Sequence, residues 1–92
     1  MEHIQTLSVQ LYGVVQGVGM RYFIYRNARR YGVNGYVKNM FDGSVKCIFQ
    51  AKEDVLEVLL KHIKKESPGI IDNIEKEIIV DAKEYQTFNI TF

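Results

Sequence analysis

The chain has 92 residues, room for one domain with one core and no second. It is 47% hydrophobic and 25% charged, which fits a folded globular chain and excludes a disordered one. Twelve Lys and Arg against eleven Asp and Glu leave a net charge of +1, too little for a general polyanion binder.

The first element is a strand. Leu7, Val9 and Leu11 alternate with Ser8, Gln10 and Tyr12, the period-two pattern of a half-buried β-strand. Gly13-Val14-Val15-Gln16-Gly17-Val18-Gly19 follows. Three glycines in seven residues predict a loop with unusual backbone angles or a close approach by another group. From Met20 the period becomes helical. Phe23, Ile24, Ala28 and Tyr31 share one face, and Arg26, Arg29 and Arg30 the other. Gly32 stands at the helix C′ position, and the arginines near that end suit the dipole.

Gly35 to Met40 reads as a second strand and Ser44 to Gln50 as its hairpin partner, joined through Phe41-Asp42-Gly43. A second helix spans about Glu53 to Glu66, with Val55, Leu56, Leu59 and Ile63 as its apolar stripe. Its acidic first turn and basic last turn match the macrodipole, and Ser67-Pro68-Gly69 ends it. Ile74 to Asp81 reads as a strand with Ile74, Ile78 and Val80 on one face. Phe88, Ile90 and Phe92 then alternate with Thr87, Asn89 and Thr91 in a short last strand.

The order β-α-β-β-α-β plus a short C-terminal strand defines an α+β fold. Right-handed crossovers put both helices on one face of a mainly antiparallel sheet, the ferredoxin-like α/β plait. That fold hosts many unrelated functions, so function must be read from a site.

The candidate site is the glycine loop. The first amides of a helix have no intrahelical acceptors and sit at the positive end of the dipole. Glycines before them let successive N–H groups converge into an anion nest of phosphate size. Arg21, in the first turn, has a guanidinium that forks across two oxygens of one anion. Neither a P-loop nor a dinucleotide fingerprint is present: no Gly-Lys-Ser/Thr follows, and Gly13, Gly17 and Gly19 have the wrong spacing. Taken alone, the same residues also fit a plain β-to-α connection with a solvated arginine.

Gly13-Val14-Val15-Gln16-Gly17-Val18-Gly19-Met20-Arg21 resembles the acylphosphatase signature, and Gly35-Tyr36-Val37-Lys38-Asn39 with Asp42-Gly43-Ser44-Val45 resembles that family's second one. The likeness extends over the whole chain, residues 1–92, as a single domain. It departs at Val14, where the family has Arg or Lys, at Met20 in place of an aromatic, and at Tyr36 in place of Trp. The Val14 change lowers the positive field near the loop.

The resemblance implies hydrolysis of acyl phosphates to a carboxylate and inorganic phosphate, without metal or other cofactor. It assigns phosphate binding to the amides of Gln16, Gly17, Val18, Gly19, Met20 and Arg21, and catalysis to Arg21 and Asn39. Arg21 binds the phosphoryl oxygens, and Asn39 orients the attacking water. Asn39 cannot serve as a general base, so the water's proton goes elsewhere, to the substrate's own phosphate. The bland alternative is that Asn39 simply ends a strand before the hairpin.

Other residues read as structural. Cys47 alternates with Val45 and Phe49, as a small core residue does, and a lone cysteine forms no internal disulfide. His3 and His62 have no metal-ligand spacing, and His62 reads as a solvated or boundary residue. No apolar run approaches a membrane span, and Met1-Glu2-His3-Ile4-Gln5 lacks a secretory leader's basic start, so a cytoplasmic monomer acting on a small molecule is expected. One rival is a noncatalytic ferredoxin-like module holding phosphate or RNA, yet Ser44 to Gln50 lacks the aromatic consensus of the RNA binders. A second is a carbamoyl-phosphate-binding domain like that of hydrogenase-maturation proteins, which are much longer chains. Residues 20–50 carry six basic side chains against Asp42 alone, so a local +5 underlies the near-neutral total.

Overall fold

The computed structural model describes residues 3–92; Met1 and Glu2, the start of the 1–92 domain and of the expected leaderless segment, lie outside the described residues. The elements are β1 (Ile4–Val14), α1 (Met20–Arg30), β2 (Asn34–Asn39), β3 (Val45–Lys52), α2 (Glu53–Glu66), β4 (Ile70–Ile78) and β5 (Phe88–Thr91). They form one five-stranded sheet in the order β4-β1-β3-β2-β5. β1 pairs antiparallel with both β3 and β4, and β2 pairs antiparallel with β3. Only β5 runs parallel to its neighbour, β2. This is the α/β plait expected from the element order, with the extra strand added at one edge.

Alternation decides which face is dry. Leu7, Val9 and Leu11 of β1 join Val45, Cys47, Phe49 and Ala51 of β3 in one apolar cluster. The same cluster takes in Phe23, Ile24 and Ala28 of α1 and Leu56, Leu59, Leu60 and Ile63 of α2. Both helices therefore lie on the same side of the sheet, and their apolar stripes fill it. Cys47 is fully buried there as a reduced thiol, and burial pushes its pKa upward, so it behaves as a small apolar side chain. Phe49 and Phe88 stack with ring centroids 5.8 Å apart, which anchors β5 to the core. His62 is half-buried rather than solvated, with its ring 5.8 Å from Phe23.

The ends of α1 follow from single residues. Val33 donates to the Ala28 carbonyl at 2.8 Å and Gly32 to that of Arg29 at 3.1 Å, with Gly32 at φ 71°. Those paired bonds are a Schellman motif, and they turn the chain directly into β2.

β4 differs from the sequence expectation at both ends. It starts at Ile70 rather than Ile74 and stops at Ile78, so Ile79 to Asp81 lie beyond it and Val80 is exposed. The register shifts between Tyr12 and Gly13, which face Asn73 and Ile71, so Asp72 is the extra residue of a bulge. A bulge breaks period-two alternation, and alternation was the only signal available.

Gly35 is required sterically. It lies at φ 137°, and a Cβ built there would sit 1.8 Å from the Ile48 carbonyl oxygen. Gly35→Ala is therefore expected to destabilise the fold by about 3 kcal/mol, from backbone strain and overpacking together. Urea unfolding of the variant measures it; a loss below about 1 kcal/mol would show that β2 and β3 can separate locally.

Candidate active site

The loop between β1 and α1 works through its backbone. Gly17 and Gly19 adopt φ 75° and 85°, and nothing lies within 4 Å of a Cβ at either. Their need for glycine is conformational, the left-handed region that L side chains avoid. Gly19 is the residue preceding α1 and supplies no side-chain cap. Its carbonyl accepts the Phe23 amide at 3.1 Å, so the helix begins at once. The first-turn amides of Met20, Arg21 and Tyr22 have no intrahelical acceptors by helix geometry. They are donors held at the positive end of the dipole.

A concave cavity of about 210 Å³ opens against this loop. Gln16, Gly17, Gly19, Met20 and Arg21 border it, together with Asn39 from the end of β2 and Ile90 and Phe92 from the β5 region. Five of the six expected loop residues thus meet Asn39 at one place. Val18 does not border the cavity. Its apolar side chain packs against the core instead, which leaves only its backbone within the loop.

Gln16 has a second role that its position in the motif did not reveal. Its Nε2 donates to the carbonyls of Met40 at 2.8 Å and Ser44 at 2.9 Å. One amide group therefore ties the loop to the turn that follows Asn39. That turn is itself braced. Asp42 accepts from both the backbone N–H and the hydroxyl of Ser44, and Gln10 donates to the Ser44 hydroxyl at 2.8 Å. The bonds from Ser44 hold the Asp42 carboxyl below its ordinary pKa, so it is ionised at neutral pH.

Arg21 is half-buried, and its guanidinium carbon lies 5.0 Å from the centroid of the Phe92 ring. That contact restrains a long side chain at the cavity mouth. Asn39 is half-buried, but its Oδ1 is fully buried and has no hydrogen-bond partner among the described residues. Asn39 borders the cavity, but this oxygen lies beneath its surface, where an unsatisfied acceptor costs roughly 1–3 kcal/mol. Phe92 and Ile90 were not expected here; their alternation in the last strand placed them on one face, without saying what that face meets.

Rival chemistries find less support. Among the described residues no three His, Cys, Asp or Glu side chains gather as a metal would require. The β3 residues facing away from the helices, Lys46, Ile48 and Gln50, include no aromatic platform for stacking bases. No helix among the described residues is long and apolar enough to cross a membrane.

The acylphosphatase family model matches residues 7–90. The chain belongs to the acylphosphatase family. An acylphosphatase from Caldanaerobacter subterraneus subsp. tengcongensis is 33% identical over 90 residues, covering 94% of this chain and 97% of that protein. The solved acylphosphatase of Bacillus subtilis superposes with a TM-score of 0.90 at 28% identity, covering 96% of this chain and 99% of its own. Full-length HypF, crystallised in a phosphate- and nucleotide-bound form, contains a region of equal TM-score, 0.90, at 28% identity. This chain spans only 12% of that protein. The family resemblance seen in the two signatures is thus established over nearly the whole chain, and the chain is an enzyme of the acylphosphatase type.

Within that family, the Val14 departure is legible in the structure. Val14 ends β1 as an exposed side chain, so no cation is supplied from that position. Met20 is 1% exposed and fills the core beneath the loop, where its size rather than its aromaticity matters.

Proposed function

We propose that the protein hydrolyses the carboxyl-phosphate bond of acyl phosphates at the cavity bordered by Gln16, Gly17, Gly19, Met20, Arg21 and Asn39. The observation that carries this reading is that Asn39, the helix N-terminus and Arg21 border one cavity.

The backbone amides of Gln16, Gly17, Val18, Gly19, Met20 and Arg21 cradle the phosphoryl oxygens, and the Arg21 guanidinium forks across two of them. Charge that shifts onto those oxygens in the transition state meets donors already in place, so little reorganisation is needed. A water hydrogen-bonded to the side-chain amide of Asn39 has its lone pair aimed at phosphorus. The P–O bond to the acyl group breaks as the new P–O bond forms. The carboxylate leaves with the bonding pair, and the water's proton passes to a phosphoryl oxygen. The products are a carboxylate and dihydrogen phosphate, with charge conserved. A carboxylate leaves readily without acid assistance, so the site needs no histidine, carboxylate or metal ion.

The enzyme acts as a cytoplasmic monomer on a small molecule rather than on nucleic acid. The near-neutral total charge supports a small-molecule substrate over nucleic acid. Hydrolysis of acetyl phosphate in the presence of excess EDTA tests the reading. Turnover undiminished by the chelator is expected, and a purified protein with no activity on any acyl phosphate would refute it. Saturable phosphate binding without turnover would favour the noncatalytic module instead.

A further inference from the structure

The helix that starts at the cavity carries a charge that nothing nearby neutralises. α1 holds Arg21, Arg26, Arg29 and Arg30 and no acid. Arg26, Arg29 and Arg30 are exposed. Their contacts are with neutral groups. The Arg26 guanidinium carbon lies 5.5 Å from the Tyr22 ring centroid, that of Arg29 5.3 Å from Tyr25 and that of Arg30 6.0 Å from Tyr31. Arg29 also donates to the Tyr25 hydroxyl at 2.7 Å and to the Thr87 hydroxyl at 3.0 Å. Glu66 of α2 shares a cleft with Arg26, yet no carboxylate among the described residues forms a salt bridge with any of the four arginines.

Stacking on tyrosine restrains a guanidinium and leaves its charge intact. Arg29 and Arg30 lie at the negative end of the helix dipole, but that end amounts to about half an elementary charge and offsets only part of theirs. Val14 puts no cation on the loop, so positive potential beyond that of Arg21 has to come from further away. A helix rises about 1.5 Å per residue, which sets Arg26 about 8 Å and Arg30 about 14 Å along the axis from Arg21. Both distances fall within the Debye length of about 30 Å at 0.01 M salt and exceed that of about 3 Å at 1 M.

We infer that the outer face of α1 guides the substrate: Arg26, Arg29 and Arg30 raise the local concentration of a phosphate dianion at the cavity without touching it. The inference takes its anion from the hydrolase reading above and rests on it to that extent. An acyl phosphate is a dianion near neutral pH, so it feels each arginine more strongly than a monoanion does. A field of one sign beside a binding site raises association about tenfold or more at low salt, and the gain fades as salt rises. The three arginines thus act on capture of the substrate, and Arg21 acts on its reaction.

The test replaces all three at once. With Arg26→Gln, Arg29→Gln and Arg30→Gln combined, kcat/KM for acetyl phosphate is expected to fall about fivefold at about 0.01 M salt, through KM with kcat unchanged. At about 0.5 M salt the deficit should shrink below about twofold. The matching triple of Arg→Lys changes keeps the charge but loses the planar stacking, and it should stay within about twofold of wild type at both salts. A deficit that salt does not change, a lysine triple as weak as the glutamine one, or no deficit at low salt would each overturn the inference. Inorganic phosphate is the second probe, and its affinity should show the same pattern. A wild type inert toward acetyl phosphate would overturn the hydrolase reading alone, and the phosphate titration would still decide this inference.

Discussion

Arg21→Ala is expected to reduce kcat/KM for acetyl phosphate about a thousandfold while the protein stays folded. Among the described residues the guanidinium is the one full positive charge bordering the cavity, since Val14 supplies none. Its two parallel N–H bonds contribute most when the phosphoryl oxygens gain charge, so the loss falls on the transition state more than on the ground state. A thousandfold loss corresponds to about 4 kcal/mol of transition-state stabilisation. The side chain is half-exposed and rests against the ring of Phe92, so stability should change by less than about 1 kcal/mol. Arg21→Lys keeps the charge but loses the planar fork, and recovery of only a small part of the rate is expected. Steady-state kinetics with urea unfolding on the same samples decides the matter. Wild-type rates in Arg21→Ala would remove this residue from the mechanism.

Asn39→Ala separates activity from stability in the opposite sense. Its kcat is expected to fall about a hundredfold with KM little changed, because the side chain aims a water and does not hold the phosphate. Its stability should stay level or rise by about 1 kcal/mol, because the substitution removes a buried acceptor that has no protein partner. A site that trades stability for function behaves this way. If the variant instead loses stability and keeps its rate, Asn39 is a strand-ending residue and nothing more. Asn39→Asp is the sharper companion. It preserves the shape but sets a negative charge beside a phosphate dianion, so KM should rise as kcat falls.

The two variants together also probe the bracing around the turn. Gln16 bonds to carbonyls on either side of Phe41-Asp42-Gly43, so the loop and Asn39 move as one unit. That coupling makes the effects of Arg21 and Asn39 substitutions less than additive when combined.

Much of the architecture could be read along the chain. The strand and helix periods at Leu7 to Tyr12 and at Met20 to Tyr31 come from local alternation of apolar residues, and burial against one layer requires those periods. Gly32 marked the α1 terminus because only a glycine readily takes the left-handed turn there. β4 was placed four residues late because its bulge at Asp72 hides Ile70 and Ile71 from any period-two reading. The glycine loop and Arg21 were visible as a candidate anion site, since helix amides and a neighbouring guanidinium are consecutive in sequence.

What the sequence determined alone was therefore the local chemistry: a left-handed glycine loop, a helix start with free donors, an arginine in its first turn, and the family to which these belong. Tertiary structure decided what else surrounds the cavity. Asn39 reaches Arg21 because β2 lies between β3 and β5, and Phe92 reaches it because β5 runs parallel to β2. Neither pairing is encoded in any short window, because strand partners are selected by the burial and hydrogen bonding of the whole sheet at once. The near-neutral charge shows the same division. Its total follows from counting residues, but only folding sets Arg21 and Asn39 against one small cavity.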